Sequence, residues 1–276
     1  MPERKRIIYD FGANNGDDIP YYLKKSDMVI AVEANPVLVS RMKSRFSEQI
    51  KNNRLVVENC VLTIEKEQQE VPFFIHKSGH VLSQFPRPDP ATLREYDEVM
   101  LRSRNVMDII NHYGNPFYIK IDLEHYDHVL LKELLLNNIR PQFISAEAHD
   151  IEVFSLLVAL GNYKSFSIVD GPTVESKYKN CPIKTDAGEE LYSFPGHSAG
   201  PFGEDIQESW MTPGDFFRLL AFEQLGWKDI HATNEIAPET GARSYLLKAL
   251  KAEVKGAIRA RAPSLFNTLK RLRHSF

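Results

Sequence analysis

Short β-rich runs alternate with longer helical patterns along most of this chain, and that order leaves few architectures open. Candidate strands fall at 6–10, 28–33, 55–59, 117–122, 142–147, 165–169 and 229–234. Between them lie helical patterns at 18–25, 36–52, 90–112, 126–137, 151–160 and 213–224, with Pro36 and Pro90 suited to a first helical turn, where no N–H is needed. A strand that is followed by a helix and then by another strand returns parallel to the first, so the expected architecture is a parallel sheet covered by helices. Two segments interrupt the alternation. "EVPFFIHKSGHVLSQF" reads as an extra extended pair, and 170–227 is one long connection rich in Gly and Pro over its first part. A connection of that length inside a compact domain is usually functional, as a lid or a binding loop.

The first strand runs into "IIYDFGANNGDD", Ile7 to Asp18. A dinucleotide fingerprint has three glycines and presents a helix N-terminus to a pyrophosphate. Here the turn is Gly12-Ala13-Asn14-Asn15-Gly16, with Asp10 before it and Asp17-Asp18 after it. Carboxylates at a helix start repel a phosphate and favour a cationic or zwitterionic ligand. Glu33 ends the second candidate strand in "VIAVEANP", where a carboxylate accepts hydrogen bonds from both hydroxyls of a ribose. An adenosine that carries a positive group and an amino acid fits these features, and that ligand is S-adenosylmethionine. Asp10, Gly12, Asn14, Gly16, Asp17, Glu33, Asn59 and Asp122 are the expected cofactor-binding residues. The rival reading of the turn is a tight strand-to-helix connection with no ligand, since Gly and Asn serve turns generally.

Charge is unevenly spread. The formal net charge is −3, but nine of the 34 Lys/Arg and one of the 37 Asp/Glu lie after residue 242, so the body carries a balance of −11. An acidic body repels a polyanion, which argues against nucleic acid as a substrate. No apolar run approaches the roughly 20 residues of a membrane helix, and the apolar run after "MPERKR" is too short for a signal peptide. Cys60 and Cys181 have no CxxC neighbour, so free thiols in a reducing cytoplasm are expected, and no structural zinc. The basic tail, 243–276, reads as two amphipathic stretches broken at Pro263. It would dock on the acidic body or on a second subunit of a homo-oligomer, or else lie on an anionic bilayer at the inner face of the membrane. Docking is the preferred reading, with residues 1–242 as the catalytic domain.

"IIYDFGANNGDD", "VIAVEANP", "FYIKIDLEHYDHVLLKEL" and "FISAEAH", in that order, resemble the FkbM-type S-adenosylmethionine-dependent methyltransferases. The resemblance covers about Ile7 to His149 well and the rest more loosely. It implies the class I methyltransferase fold, a Rossmann-like, mostly parallel α/β sheet of seven strands in the order 3-2-1-4-5-7-6. It also implies O-methylation of a sugar or glycoconjugate hydroxyl, or of a hydroxyl on a secondary metabolite. The family pattern after strand four is close to K-I-D-x-E-G-x-E; here His125 stands where Gly is usual and Asp127 where Glu is usual.

Ligands of open α/β sheets bind at the carboxyl ends of the strands, where Asp10, Glu33, Asp122 and Glu147 all fall. An alcohol acceptor must lose a proton during methyl transfer. His149 is the leading candidate base, because imidazole titrates near neutral pH, with Asp122, Glu124 and Glu147 as orienting groups. Its rival role is helix-start capping beside Asp150. Lys120, His125, His197 and Phe202 are the expected acceptor contacts. The long connection, 171–227, is expected to form an acceptor-binding lid on which Phe194, Phe202 and Trp210 offer flat surfaces to a sugar ring; the rival is a loop whose aromatics form a satellite core. A divalent Mg²⁺ or Mn²⁺ on Asp122, Glu147 and His149 is a further reading that is not favoured. Two other functions are weighed: a nicotinamide-dependent dehydrogenase, disfavoured by the glycine spacing, and a non-catalytic adaptor, disfavoured by intact cofactor motifs.

Overall fold

The computed structural model describes residues 5–66, 69–79, 82–223 and 225–239, with a few further positions between 250 and 262. In chain order the elements are β1 (Ile7–Phe11), α1 (Ile19–Lys25), β2 (Met28–Glu33), α2 (Pro36–Arg45), α3 (Ser47–Lys51), β3 (Leu55–Asn59) and β4 (Val61–Thr63). Then come β5 (Glu70–His76), β6 (Tyr96–Asn105), α4 (Val106–Tyr113), β7 (Tyr118–Ile121), α5 (Asp127–Leu136), β8 (Phe143–Ala148), α6 (Ile151–Ala159) and β9 (Ser165–Asp170). The last are α7 (Val174–Lys177), β10 (Cys181–Thr185), β11 (Gly188–Tyr192), α8 (Pro213–Glu223) and β12 (Gly226–Thr233).

Seven strands form the central sheet in the order β3-β2-β1-β7-β8-β12-β9. Counted within the sheet this is 3-2-1-4-5-7-6, the class I methyltransferase order. All neighbours are parallel except β12, which runs antiparallel to both β8 and β9. Every residue of β1 is buried, as a central strand covered on both faces requires. The period-2 alternation divides it: Ile7, Tyr9 and Phe11 pack in one apolar cluster with α4, α5, α6 and α8. Ile8 packs in the other with α1, α2 and the 171–225 connection. On α5, Leu130, Leu131, Leu134 and Leu135 are almost fully removed from solvent; at about 1.5–3 kcal/mol per side chain they make that helix a principal anchor of the first cluster.

Three expectations change. The 90–112 segment is not one helix: β6 occupies Tyr96–Asn105 and pairs antiparallel with β5, and only α4 is helical. In "YDEVMLRSRN" the exposed Glu98, Met100 and Arg102 alternate with the half-buried Val99 and Leu101 and the buried Ser103, a strand period, and Asn105 then caps α4 by accepting from the Met107 N–H at 2.7 Å. Pro90 lies in a loop. The extra extended pair therefore exists, but the main partner of β5 is β6; Gln84 adds only a bridge to Phe74. The 36–52 helix is divided at Phe46, whose backbone is not helical and whose ring is buried.

The long connection is the third change. It is bolted to α1. The Asp205 carboxylate accepts from the Tyr21 hydroxyl at 2.7 Å, from Lys25 Nζ at 2.8 Å and from the Lys184 N–H at 2.9 Å. Phe194, Phe202 and Trp210 are buried in the second cluster. Phe202 stacks on Tyr118 with centroids 3.9 Å apart and lies near Tyr21, Tyr22, Phe117 and Phe143. These rings fill the core and offer no platform to a sugar, so most of the expected lid is a structural layer. Most of the 243–276 tail lies outside the described residues; Leu250 and Val254 are described and exposed. Among the described residues no helix is long and apolar enough to cross a membrane.

Candidate active site

A cavity of about 380 Å³ opens at the carboxyl edge of the parallel strands. One wall is built by the turn after β1, the end of β2 and α2: Gly12, Asn14, Glu33 and Leu38 line it. Another is built by the β4–β6 layer and the loop that follows β5, with Phe73, Leu82 and Phe85. The third carries Asp122, Glu124, Glu147 and His149, and His197 and Trp227 also line the cavity.

Glu33 closes β2, and its carboxylate is held by backbone. The Asn14 N–H donates to Oε2 at 2.8 Å and the Asn35 N–H to Oε1 at 2.7 Å. A carboxylate has about four lone-pair sites, so two remain for a ligand, the number a ribose diol needs. Burial pushes this carboxyl up to about 7. Gly12 adopts φ +84°, and a Cβ there would lie 1.8 Å from the Asp122 carbonyl oxygen, so only glycine lets β1 and β7 leave the sheet this close together. Asn14, also left-handed at φ 48°, leaves its Oδ1 buried and unpartnered. Such an orphaned acceptor is costly unless a ligand donor meets it, so the turn fits the ammonium and hydroxyl donors of S-adenosylmethionine.

The acids around the turn do other work. Asp17 accepts from Arg45 and from the Asn15 side chain near the surface. Asp18 sits at the start of α1 and accepts from the Ser198 hydroxyl and, at 3.1 Å, from the Ala199 N–H, which ties the long connection to the turn. Asp10 is fully buried, 3.7 Å from Lys120, and burial pushes it up to about 7. None of the three lines the cavity, nor does Gly16, which packs against Ile19 and Met42. Asn59 braces the end of β2 from outside by donating to the carbonyls of Glu33 and Ala34. The anionic lining comes instead from Glu33, Asp122, Glu124 and Glu147, and among the described residues no Lys or Arg shares it. That composition suits a cation and repels a pyrophosphate.

The expected acceptor contacts separate. Lys120 is buried, 3.0 Å from Asp122; burial would lower its ammonium, but Asp122, Asp10 and Asp18 around it hold it well above the usual lysine range. It braces Asp122 from behind and does not line the cavity. His125 is exposed outside the cavity, with its ring 4.5 Å from that of His149. Its backbone keeps φ +73°, after Glu124 at φ +45°. Two consecutive non-glycine residues in this region carry strain of order 1–2 kcal/mol each, and the result is a turn that carries Glu124 into the cavity wall. His197 does line the cavity, its ring near-parallel to Trp227 at 6.2 Å.

His149 follows β8 directly. Asp150, not His149, caps α6, accepting from the N–H groups of Glu152 and Val153. His149 Nε2 lies 2.8 Å from Glu147 Oε2 and 3.6 Å from Glu124 Oε2. Contact with the Glu124 and Glu147 carboxylates pushes the imidazole up to about 11, so it is protonated at neutral pH and is not the free base that its ordinary titration range implies. Burial pushes Glu147 up to about 7. The proton-accepting capacity therefore belongs to the Glu124–Glu147–His149 cluster as a unit.

Trp227 was not among the expected residues. It is 46% exposed at the start of β12. Its indole lies against Gly171, where a Cβ would come within 2.5 Å of the ring. A usable signal existed, because the first residues of an antiparallel strand lie at the same edge as the last residues of its parallel neighbours.

No protein-family model matches the chain, and no curated protein matches it. Among solved structures it is similar to the methyltransferase FkbM from Methylobacillus flagellatus, with 16% identity, a TM-score of 0.41 and coverage of 60% of this chain and 40% of that one. It is also similar to an O-methyltransferase from Bacillus cereus in complex with SAH (11% identity, TM-score 0.37, 83% and 74% covered). A third is a precorrin 8w decarboxylase from Methanobacterium thermoautotrophicum (10% identity, TM-score 0.37, 70% and 78% covered). The chain thus spans about 40% of the length of the FkbM methyltransferase it matches.

Proposed function

We propose that this chain is an S-adenosylmethionine-dependent O-methyltransferase that acts on a hydroxyl of a sugar or glycoconjugate. The observation that carries the reading is a single cavity with a backbone-anchored carboxylate at one wall, Glu33, and an acid–imidazole cluster at another, Glu124, Glu147 and His149. S-adenosylmethionine, when bound, supplies an electrophilic methyl on a sulfonium. Glu33 holds the ribose hydroxyls through its two remaining lone-pair sites. Asn14 Oδ1 accepts from the ligand, and Asp122, braced by Lys120, presents negative charge to its positive groups. Leu38, Val61 and Leu62 supply the apolar wall that an adenine ring needs.

On the acceptor side the cluster would take up the hydroxyl proton as the O–C bond forms and the S–C bond to the methyl breaks, with S-adenosylhomocysteine as the uncharged leaving group. Trp227 offers a half-exposed indole face at the cavity, and such faces stack well against the C–H face of a sugar ring. The acidic body supports an acceptor other than nucleic acid. The basic tail, docked on the acidic body or on a second subunit, belongs to the same proposal. The dehydrogenase reading loses support because the start of α1, where a pyrophosphate would dock, is occupied by Asp18 and its contacts to Ser198 and Ala199. Calorimetry with S-adenosylhomocysteine against NAD tests the cofactor. Binding of the first alone is expected, and binding of NAD alone overturns the reading. A screen of nucleotide sugars and glycans, read by S-adenosylhomocysteine release, then tests the acceptor class.

A further inference from the structure

We propose that Glu124, Glu147 and His149 form a binding site for one divalent cation of the Mn²⁺/Mg²⁺ class, placed to take a vicinal diol of the acceptor. The diol rests on the methyl-transfer reading above, and with an ion on these three side chains the ion would acidify the acceptor hydroxyl and its proton would pass to water instead of to the cluster; the cation site rests on geometry alone. One ligand-capable atom from each residue lies within 4.8 Å of the other two. His149 Nε2 is 2.8 Å from Glu147 Oε2 and 3.6 Å from Glu124 Oε2. Donors held at about 2.1 Å from one ion stand about 3 Å apart at right angles and about 4.2 Å apart when opposed, so these separations fit a common centre. The three groups come from two separate elements, the turn after β7 and the end of β8, and all three line the cavity.

Two further observations point to a ligand. His149 Nε2 is shielded from solvent and points between two carboxylates, but its 2.8 Å approach to Glu147 is an ion-pair contact without hydrogen-bond geometry, which a cation can replace by displacing the imidazole proton. Glu147 is only 4% exposed, and the nearby buried cation, Lys120, is engaged by Asp122 and Asp10 instead. Two carboxylate oxygens and one imidazole nitrogen form a hard, oxygen-rich set that favours Mn²⁺ or Mg²⁺ over Zn²⁺. Such ions take about six ligands, so about three positions remain open towards the cavity. Adjacent ring hydroxyls in a gauche arrangement fill two of them, so the site takes a vicinal diol and excludes a trans-diaxial pair. Asp122, which the sequence placed in the ligand set, gives way to Glu124, because Asp122 is turned towards Lys120.

The test uses the full chain, freed of metal by chelation, and titrates Mn²⁺ while electron paramagnetic resonance follows the free aquo ion. One saturable site per chain is expected, with Mg²⁺ as a competitor. Glu124→Gln and His149→Ala should each weaken Mn²⁺ at least tenfold. Glu124 is the less buried carboxylate, so its variant decides the matter if a change at Glu147 unfolds the protein, with circular dichroism to confirm the fold. The absence of saturable Mn²⁺ binding, or binding unchanged in both variants, overturns the proposal. Parallel calorimetry with S-adenosylhomocysteine separates the two readings. Nucleoside binding without Mn²⁺ sinks the cation site alone, whereas Mn²⁺ binding without the nucleoside upholds the site and sinks the methyl-transfer reading.

Discussion

Replacing Glu33 by Gln tests the cofactor end of the cavity with little change of shape. The native carboxylate accepts the Asn35 N–H at 2.7 Å and the Asn14 N–H at 2.8 Å and keeps two lone-pair sites free. The amide can satisfy one of these donors with its oxygen, and its NH₂ group then faces the other N–H. That leaves a buried donor unsatisfied, at about 1–3 kcal/mol of fold stability. On the ligand side one ribose hydroxyl loses its acceptor and the other exchanges a charge-assisted bond for a neutral one. Hydrogen bonds to charged groups contribute about 1.5–3 kcal/mol, so a loss of about 2–4 kcal/mol, or about 30- to 700-fold in Kd, is expected. pH supplies a second handle. The Glu33 carboxyl is pushed up to about 7 by burial, and the ionised form binds the diol. Affinity should therefore fall about tenfold from its plateau by pH 6 in the native protein and stay flat in Glu33→Gln. The raised folded-state value has the opposite sign for the ligand-free fold, whose stabilisation by this group is fully present below the ordinary glutamate range and lost as pH rises through 7. Calorimetry with S-adenosylhomocysteine at pH 6, 7 and 8, beside thermal melts, measures both. An affinity within threefold of native with the pH profile retained would refute the placement of ribose at Glu33.

Other perturbations probe the frame. Gly12→Ala should abolish soluble expression or lower Tm sharply, since the new Cβ would meet backbone at 1.8 Å, whereas Gly214→Ala, with nothing within 4 Å, should leave Tm within a degree or two. Phe202→Ala should cost about 3–5 kcal/mol in urea unfolding, the range for a buried aromatic ring. A variant of native stability would restore the acceptor-platform role that its burial denies it. His231, in the middle of β12, has its imidazole pushed down to about 3 by burial. It folds neutral, so stability present above its ordinary value near 6.5 is lost as pH falls below it, by about 1.4 kcal/mol at pH 5.5. His231→Gln should lack that increment, and parallel pH dependence of the two proteins in urea titrations would refute the assignment.

Much of the fold was legible because strand and helix periods differ and because short parallel strands cannot be joined without a crossover. All seven central strands lie within a few residues of their expected positions, and the antiparallel β12 is where the strand order requires it. The failure at 90–112 has a physical cause. A long run with Pro at its head and scattered charges satisfies a helical template loosely, and the alternation in "YDEVMLRSRN" acquires meaning only through β5, which pairs with it from more than twenty residues upstream. Tertiary pairing decided that segment, as is common for solvent-facing strands. The long connection failed in a similar way. Aromatic residues in a Gly- and Pro-rich stretch suit a binding loop and a core layer equally, and only the α1 face, with Tyr21 and Tyr22 already buried on it, decides between them.

At the site, the edge of the sheet was legible and the direction of side chains was not. The topological rule brings Glu33, Asp122 and Glu147 to one place, and there they are. The acids of the glycine turn have the sign expected of a cation site, yet Asp17 and Asp18 spend their oxygens on the scaffold and Asp10 lies off the cavity wall. Asp10 shares the β1 face of Ile8, away from the Val32 and Tyr126 side, and Asp18 spends its oxygens on the connection that covers α1. His149 shows the same limit from the electrostatic side. Its ordinary titration range recommends it as a base, but two carboxylates, one delivered by a strained left-handed turn at Glu124, keep it protonated. The residues alone do not announce that turn, because the glycine usual at this place in the resembling family is His125 here. A chain can hold a glycine-type conformation with another residue when neighbours over-determine it. The Leu123 N–H donating to Asp127 Oδ1 at 3.1 Å, across the same turn, is one such constraint. Asp127→Ala should therefore relax the turn, swing Glu124 away from His149 and lower the imidazole's titration point. NMR titration of His149 Cε1–H measures this directly, and an unshifted midpoint would show that Glu124 is held by something other than its turn.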